Sequence, residues 1–106
     1  VTTQNCFIGE PVKYCRNIAK KQHEKKMSGI LIHVGQANVG TGQNGYKIVE
    51  KMAELAAIEI NSTAHEIFVA GTGVIGQAVK FENFAKNFPN NNFGNSQIDF
   101  ENSAQA

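Results

Sequence analysis

Gly29-Ile30-Leu31-Ile32-His33-Val34-Gly35 sets four aliphatic residues between two glycines. A run this short and this apolar predicts a strand buried on both faces, as in a parallel or mixed sheet. Residues 35–45 follow with four glycines and two asparagines and predict a loop. Tyr46 to Ile58 then carries Ile48, Met52, Leu55 and Ala56 along one side, the spacing of a packed helix. Asn61-Ser62-Thr63 ends that helix. Ile67-Phe68-Val69-Ala70 is a second buried-strand candidate, and Gly71-Thr72-Gly73-Val74-Ile75-Gly76 a second glycine loop. The same unit, strand then glycine loop then helix, occurs twice with little side-chain identity between its copies.

Upstream, Thr2 to Ile8 has strand-like residues and stops at Gly9. Pro11 suits the first turn of a helix, where its missing N–H costs nothing. Val12, Cys15, Ile18 and Ala19 continue at helical spacing, predicting a helix from Pro11 to Lys20. The charged run from Lys20 to Lys26 reads as a solvated helix end or loop. Downstream, Phe81, Phe84, Ala85 and Phe88 predict a short helix stopped by Pro89, with the phenylalanines in the core. Asn90 to Asn95 is a polar connector. Phe100 to Ala106 starts a further helix, capped by Asp99 or Ser96. Strands alternating with helices predict an α/β architecture of mixed α and β layers.

The chain has 106 residues, ten Lys and Arg against nine Asp and Glu, a net charge of +1 and 42% hydrophobic residues. This suits one domain, which at such a length buries roughly 60–70% of its unfolded surface. Near-neutral charge argues against nucleic-acid binding through phosphate contacts. No apolar run approaches the ~20 residues of a membrane span, and no signal peptide is visible; a cytoplasmic protein is expected. Cys6 and Cys15 are too few for a disulfide scaffold and read as reduced, buried packing residues. The chain opens on Val1, so a segment upstream is expected.

Both glycine stretches contain G-x-G-x-x-G: Gly40, Gly42, Gly45 and Gly71, Gly73, Gly76. The second is the better dinucleotide candidate, because it follows a strand and has Asp99 where a ribose-binding acid belongs. Against it stand the short helix that follows, Pro89, and the lack of a third strand. No Gly-Lys-Ser/Thr closes either loop, which excludes a phosphate-binding P-loop. His23, His33 and His65 lack metal-ligand spacing, and His33, inside an apolar strand, reads as a hydrogen-bonded core residue. No G-x-S-x-G is present. Thr72 between Gly71 and Gly73 has one further physical meaning. A flexible turn can aim a hydroxyl and a neighbouring N–H at one point, which is what an oxyanion hole requires.

These motifs resemble a known family, the ornithine acetyltransferases of arginine biosynthesis, also called glutamate N-acetyltransferases. The resemblance runs through Thr2-Thr3-Gln4-Asn5, Glu10-Pro11-Val12, Gly35-Gln36-Ala37-Asn38-Val39-Gly40-Thr41-Gly42 and Gly71-Thr72-Gly73-Val74-Ile75-Gly76, in matching order and spacing. It implies a piece of the alpha chain of a self-cleaving precursor, with the layered fold similar to that of N-terminal-nucleophile aminopeptidases. It implies that a threonine at the start of a separate beta chain takes acetyl from N-acetylornithine and passes it to glutamate. It assigns the oxyanion hole to Thr72 and Gly73, implies no metal or organic cofactor, and predicts an oligomer of alpha–beta units. The nucleophile is expected outside this sequence; Thr2 and Thr3 lie in the predicted first strand. Gly71 stands where the family usually has Ser, and His33, Val34 and Gln36 where it usually has Asn, Ser and Asn. The competing readings are an N-terminal-threonine aminopeptidase or amidase of similar fold, the dinucleotide module, and a catalytically dead fragment that folds or assembles.

Overall fold

A computed structural model describes residues 4–21 and 27–88, together with Glu101 and Gln105. Its elements in chain order are α1 (Glu10–Lys21), β1 (Gly29–Gln36), α2 (Gly42–Glu59), β2 (Ile67–Val74) and α3 (Phe81–Asn87), with one 3-10 turn, Ala64–Glu66, leading into β2.

The strand expected before Gly9 is absent from its described part. Residues 4–9 are irregular, with a bend at Cys6 and Phe7. The Oδ1 of Asn5 accepts the Phe7 N–H at 2.9 Å, a local turn that competes with extended structure. Thr2 and Thr3 lie outside the described residues. Cys6 is exposed, contrary to the buried role expected of it, because this segment runs over the surface.

The first helix begins at Glu10, with an acid in its first turn and Lys20 and Lys21 in its last, the arrangement that complements the helix dipole. Glu10 is buried and paired with Lys13 at 2.8 Å. Tyr14 and Ile18 form the buried face. The Tyr14 hydroxyl donates to the Ala64 carbonyl at 2.6 Å, tying α1 to the turn before β2. Burial pushes the Tyr14 phenol up to about 12.

The central helix α2 buries Gly45, Val49, Met52, Ala53, Ala56 and Ala57. That is the i, i+4, i+7, i+8 stripe of a core-facing helix. Met52 and Ala56 lie on it as expected, whereas Ile48 and Leu55 flank it half-buried. The helix stops where Asn61-Ser62-Thr63 predicts. Asn61 adopts φ 51°, its N–H bonds the Ile58 carbonyl at 3.3 Å, and the Ser62 N–H bonds the Ala57 carbonyl at 2.9 Å. These are the two reversed bonds of a Schellman cap.

Strands β1 and β2 pair in parallel from Gly29↔Ile67 to Gln36↔Val74, with α2 as the crossover. This is the mixed helix-and-strand arrangement expected. The strands are not buried on both faces. Ile67 and Val69 enter the core with Val49, Ala53 and Phe88, and Leu31 packs against it. On the other face Ile30, Ile32 and Val34 are 58%, 65% and 79% exposed. The helices cover one side only, and no described element lies over the other. Parallel register lines up Phe68, Ala70 and Thr72 beside Ile30, Ile32 and Val34.

The outer edge of β2 is closed by α1. The Cys15 thiol donates to the Val69 carbonyl at 3.3 Å and accepts the Val69 N–H at 3.4 Å. A strand edge otherwise leaves such groups unpaired. The base of the unit is pinned by Glu66, whose Oε2 accepts the hydroxyls of Ser28 and Ser62 at 2.5 and 2.7 Å. Phe88 and Phe84 reach the core as expected, their rings 5.3 Å apart. Residues 22–26 and the connector and cap residues at 89–100 fall outside the described residues; of the last predicted helix only Glu101 and Gln105 are described, both helical.

Met52 is fully buried on the central helix. Met52→Ala is expected to destabilise the fold by about 2–5 kcal/mol, read as a lowered urea midpoint at unchanged slope.

Candidate active-site loops

Two loops leave the C-terminal ends of the paired strands, and backbone bonds hold them together. The Ala37 N–H donates to the Val74 carbonyl at 3.0 Å and the Gly76 N–H to the Val39 carbonyl at 2.9 Å. The ladder therefore continues beyond β1 into the second loop.

Asn38 is the centre of this assembly. It is fully buried and adopts φ 52°, the left-handed region in which Asn is among the few tolerated side chains. Its carbonyl accepts the Glu10 N–H at 3.0 Å, satisfying a donor at the start of α1. Its Nδ2 donates to the Gly45 carbonyl at 2.9 Å, and its Oδ1 accepts the Thr41 hydroxyl at 2.6 Å. A Cβ on Gly45 would collide with Thr41 Oγ1 and lie 2.5 Å from Asn38 Oδ1. Gly45 is thus glycine because the first turn of α2 is pressed onto Asn38. This is also why α2 starts at Gly42, before Tyr46, and why Gly42 to Gly45 are helix rather than loop. Sequence reading counted Asn38 among loop asparagines; its signal was an Asn in a glycine-rich turn directly before a helix.

Thr72 and Gly73 lie inside β2, not in a free loop. Gly73 has φ 125° and pairs with Gly35, whose φ is 118°. A Cβ on Gly73 would overlap the Gly35 carbonyl, so close approach and backbone conformation both demand glycine there. Thr72, one residue before, is exposed on the open face of the sheet, next to Val34. Its hydroxyl has no hydrogen-bond partner among the described residues. An apolar groove of about 430 Å³ runs along this edge, between Pro11, Val12 and Cys15 of α1 and Phe68, Ala70 and Gly71 of β2.

His33 is on the opposite face. It is buried, as expected, but its Nε2 has no hydrogen-bond partner among the described residues. The residue across the ladder is Gly71, which offers no side chain. Burial pushes the imidazole below its usual value.

The dinucleotide reading of Gly71, Gly73 and Gly76 does not survive this geometry. A pyrophosphate seat needs the glycines to turn from strand into helix. Here Gly71 and Gly73 are ladder residues, and α3 starts only at Phe81 and is seven residues long. Asp99 is outside the described residues. Among the described residues no group of three His, Cys, Asp or Glu side chains is placed to hold a metal ion, and no helix is long and apolar enough to cross a membrane.

The model of the ArgJ family matches residues 1–106. The chain belongs to the ArgJ family. It is similar to the arginine biosynthesis bifunctional protein ArgJ 1 of Nostoc sp., 41% identical over 78 residues that cover 74% of this chain and 18% of that protein. It is 35% identical to the ArgJ of Thermosynechococcus vestitus over 84% of this chain and 21% of the relative. The chain thus spans about a fifth of the length of these ArgJ relatives. A rice relative is named chloroplastic, at 36% identity over 76% of this chain and 17% of the relative, so ArgJ membership alone does not fix a cytoplasmic location. Two solved structures share the fold. The ArgJ of Bacillus halodurans has a TM-score of 0.71 at 24% identity, covering 79% of this chain and 43% of that one. The ornithine acetyltransferase of Mycobacterium tuberculosis, solved with ornithine, has a TM-score of 0.72 at 22% identity, covering 80% of this chain and 45% of that one.

Two outcomes test the loop assembly. Asn38→Ala removes both side-chain bonds that tie the loop to α2, to the Gly45 carbonyl and from the Thr41 hydroxyl, and puts Ala in a left-handed position; a loss of about 2–4 kcal/mol is expected in denaturant titration. His33 is held below its unfolded value of 6.5, so the unfolded chain takes up its proton first as pH falls. Its contribution is complete above pH 6.5 and declines below it. Melting midpoints between pH 7.5 and 5 are expected to fall less steeply in His33→Asn than in the parent protein.

Proposed function

We propose that this chain is part of an acetyltransferase that moves acetyl from N-acetylornithine to glutamate, and that Thr72 and Gly73 form its oxyanion hole. The observation that carries the reading is the Thr72–Gly73 pair itself. An exposed hydroxyl without an internal partner sits beside a glycine clamped at φ 125° against Gly35. Two further features support it. Strand alternation turns the Gly73 N–H to the same outer side as the Val69 N–H, away from β1. The ArgJ family is named for arginine biosynthesis, and one solved relative of the same fold is an ornithine acetyltransferase complexed with ornithine.

In this mechanism the N-terminal threonine of a beta chain from the same precursor attacks the acetyl carbonyl of N-acetylornithine. Its hydroxyl proton passes to its own α-amino group. The carbonyl oxygen gains negative charge and accepts hydrogen bonds from the Thr72 hydroxyl and the Gly73 N–H. The C–N bond then breaks, the α-amino group returns the proton to the leaving ornithine amine, and an acetyl ester remains. Glutamate attacks that ester through the same intermediate. Both donors stand ready before reaction, because the ladder fixes the backbone and no internal acceptor has to be displaced from Thr72. The chain alone lacks the nucleophile and is inactive without its beta chain; alpha–beta units assembling in the cytoplasm complete the reading.

In the processed enzyme, Thr72→Ala is expected to lower kcat by roughly 100-fold or more, the usual cost of losing an oxyanion donor. Thr72→Ser keeps the hydroxyl and most of the rate. An unchanged kcat in Thr72→Ala would remove Thr72 from the site. Measuring acetylglutamate against free acetate in the same assay separates transfer from the hydrolysis of an aminopeptidase-like enzyme.

A further inference from the structure

Thr72 has glycine on both sides, so neither neighbour carries a side chain to restrain it. Such a segment is conformationally loose unless something outside it holds it. Gly73 is held by Gly35. At Gly71 the restraint is different. Gly71 is not among the glycines with positive φ, so its backbone conformation does not require glycine. What requires it is His33. A Cβ on Gly71 would overlap the imidazole Nε2, and would lie 2.7 Å from Cε1 and 3.3 Å from Cδ2. The ring therefore fills the space in which a side chain at position 71 would begin.

We propose that His33 and Gly71 are a coupled pair that positions Thr72 and Gly73, with His33 a positioning residue whose ring wedges the strand one residue before the oxyanion donors. This rests on the oxyanion reading of Thr72 and Gly73 given above. On its other side His33 borders a groove of about 260 Å³ shared with Val79, Lys80 and Phe84. Among the described residues its buried Nε2 has no partner, a polar cost that no hydrogen bond there offsets. The imidazole is thus placed for its shape.

The test uses the complete processed enzyme and three variants: Gly71→Ser, His33→Asn, and both together. Melting midpoint, kcat and KM are measured for each. Gly71→Ser is expected to lower the midpoint and to reduce kcat by about 10- to 100-fold with little change in KM, the signature of misplaced catalytic groups. His33→Asn, which leaves the space empty, is expected to reduce kcat in the same direction. The double variant is expected to return to within about threefold of the parent kcat, a non-additivity diagnostic of direct contact. If the single variants do not yield folded protein, recovery of the double variant alone supports the pair, and failure of all three overturns it. Gly71→Ser with parental midpoint and kcat overturns it, as does a double variant as impaired as the sum of the singles. Thr72→Ala in the same series separates the two ideas. Lost coupling with a strong Thr72→Ala defect sinks only the pair. Coupled midpoints with an unaffected Thr72→Ala sink the oxyanion reading and the positioning role with it.

Discussion

The buried amide of Asn38 is the interaction on which the rest of this structure depends. Through backbone and side chain it binds the first turn of α1, the first turn of α2 and the hydroxyl of Thr41. The Glu10 N–H is a donor that a helix start would otherwise leave unpaired, and a buried unpaired group of that kind costs about 1–3 kcal/mol. The two side-chain bonds tie the loop to the first turn of α2 and satisfy the buried amide itself. It also sets where α2 begins, and so how that helix lies on the sheet.

From that fixed point the loops inherit their geometry. Ala37 and Val39, on either side of Asn38, bond Val74 and Gly76 of the second strand–loop segment. The parallel ladder thus ends in two mutually braced loops. Between them Gly35 and Gly73 bring their backbones closer than any side chain would allow. The result is a braced strip with a threonine exposed on its open side.

The open sheet face leaves apolar side chains uncovered by any described element. Ile30, Ile32, Val34 and Val74 are all more than half exposed. Contiguous apolar surface of this kind marks a contact surface. The chain spans about a fifth of the ArgJ relatives it matches, and the face that carries Thr72 is the one its own helices leave uncovered.

The order of elements was legible in the sequence, because aliphatic runs, a stripe at helical spacing and an Asn-Ser-Thr stop report local physics. That Thr72 stands between two glycines was legible too, but not that Gly71, Thr72 and Gly73 belong to a paired strand rather than a loop. Burial of β1 on both faces was misjudged, since Ile30-Leu31-Ile32 reads alike whether one layer or two will cover it. The segment before Gly9 was misjudged because β propensity does not reveal an Asx turn at Asn5. Position 33 shows the boundary most clearly. The sequence established a histidine in an apolar strand and a glycine before Thr72. Only the tertiary structure set one upon the other, because which residue faces which across a parallel ladder depends on the register, and α2 fixes that register through packing distributed along its whole buried face.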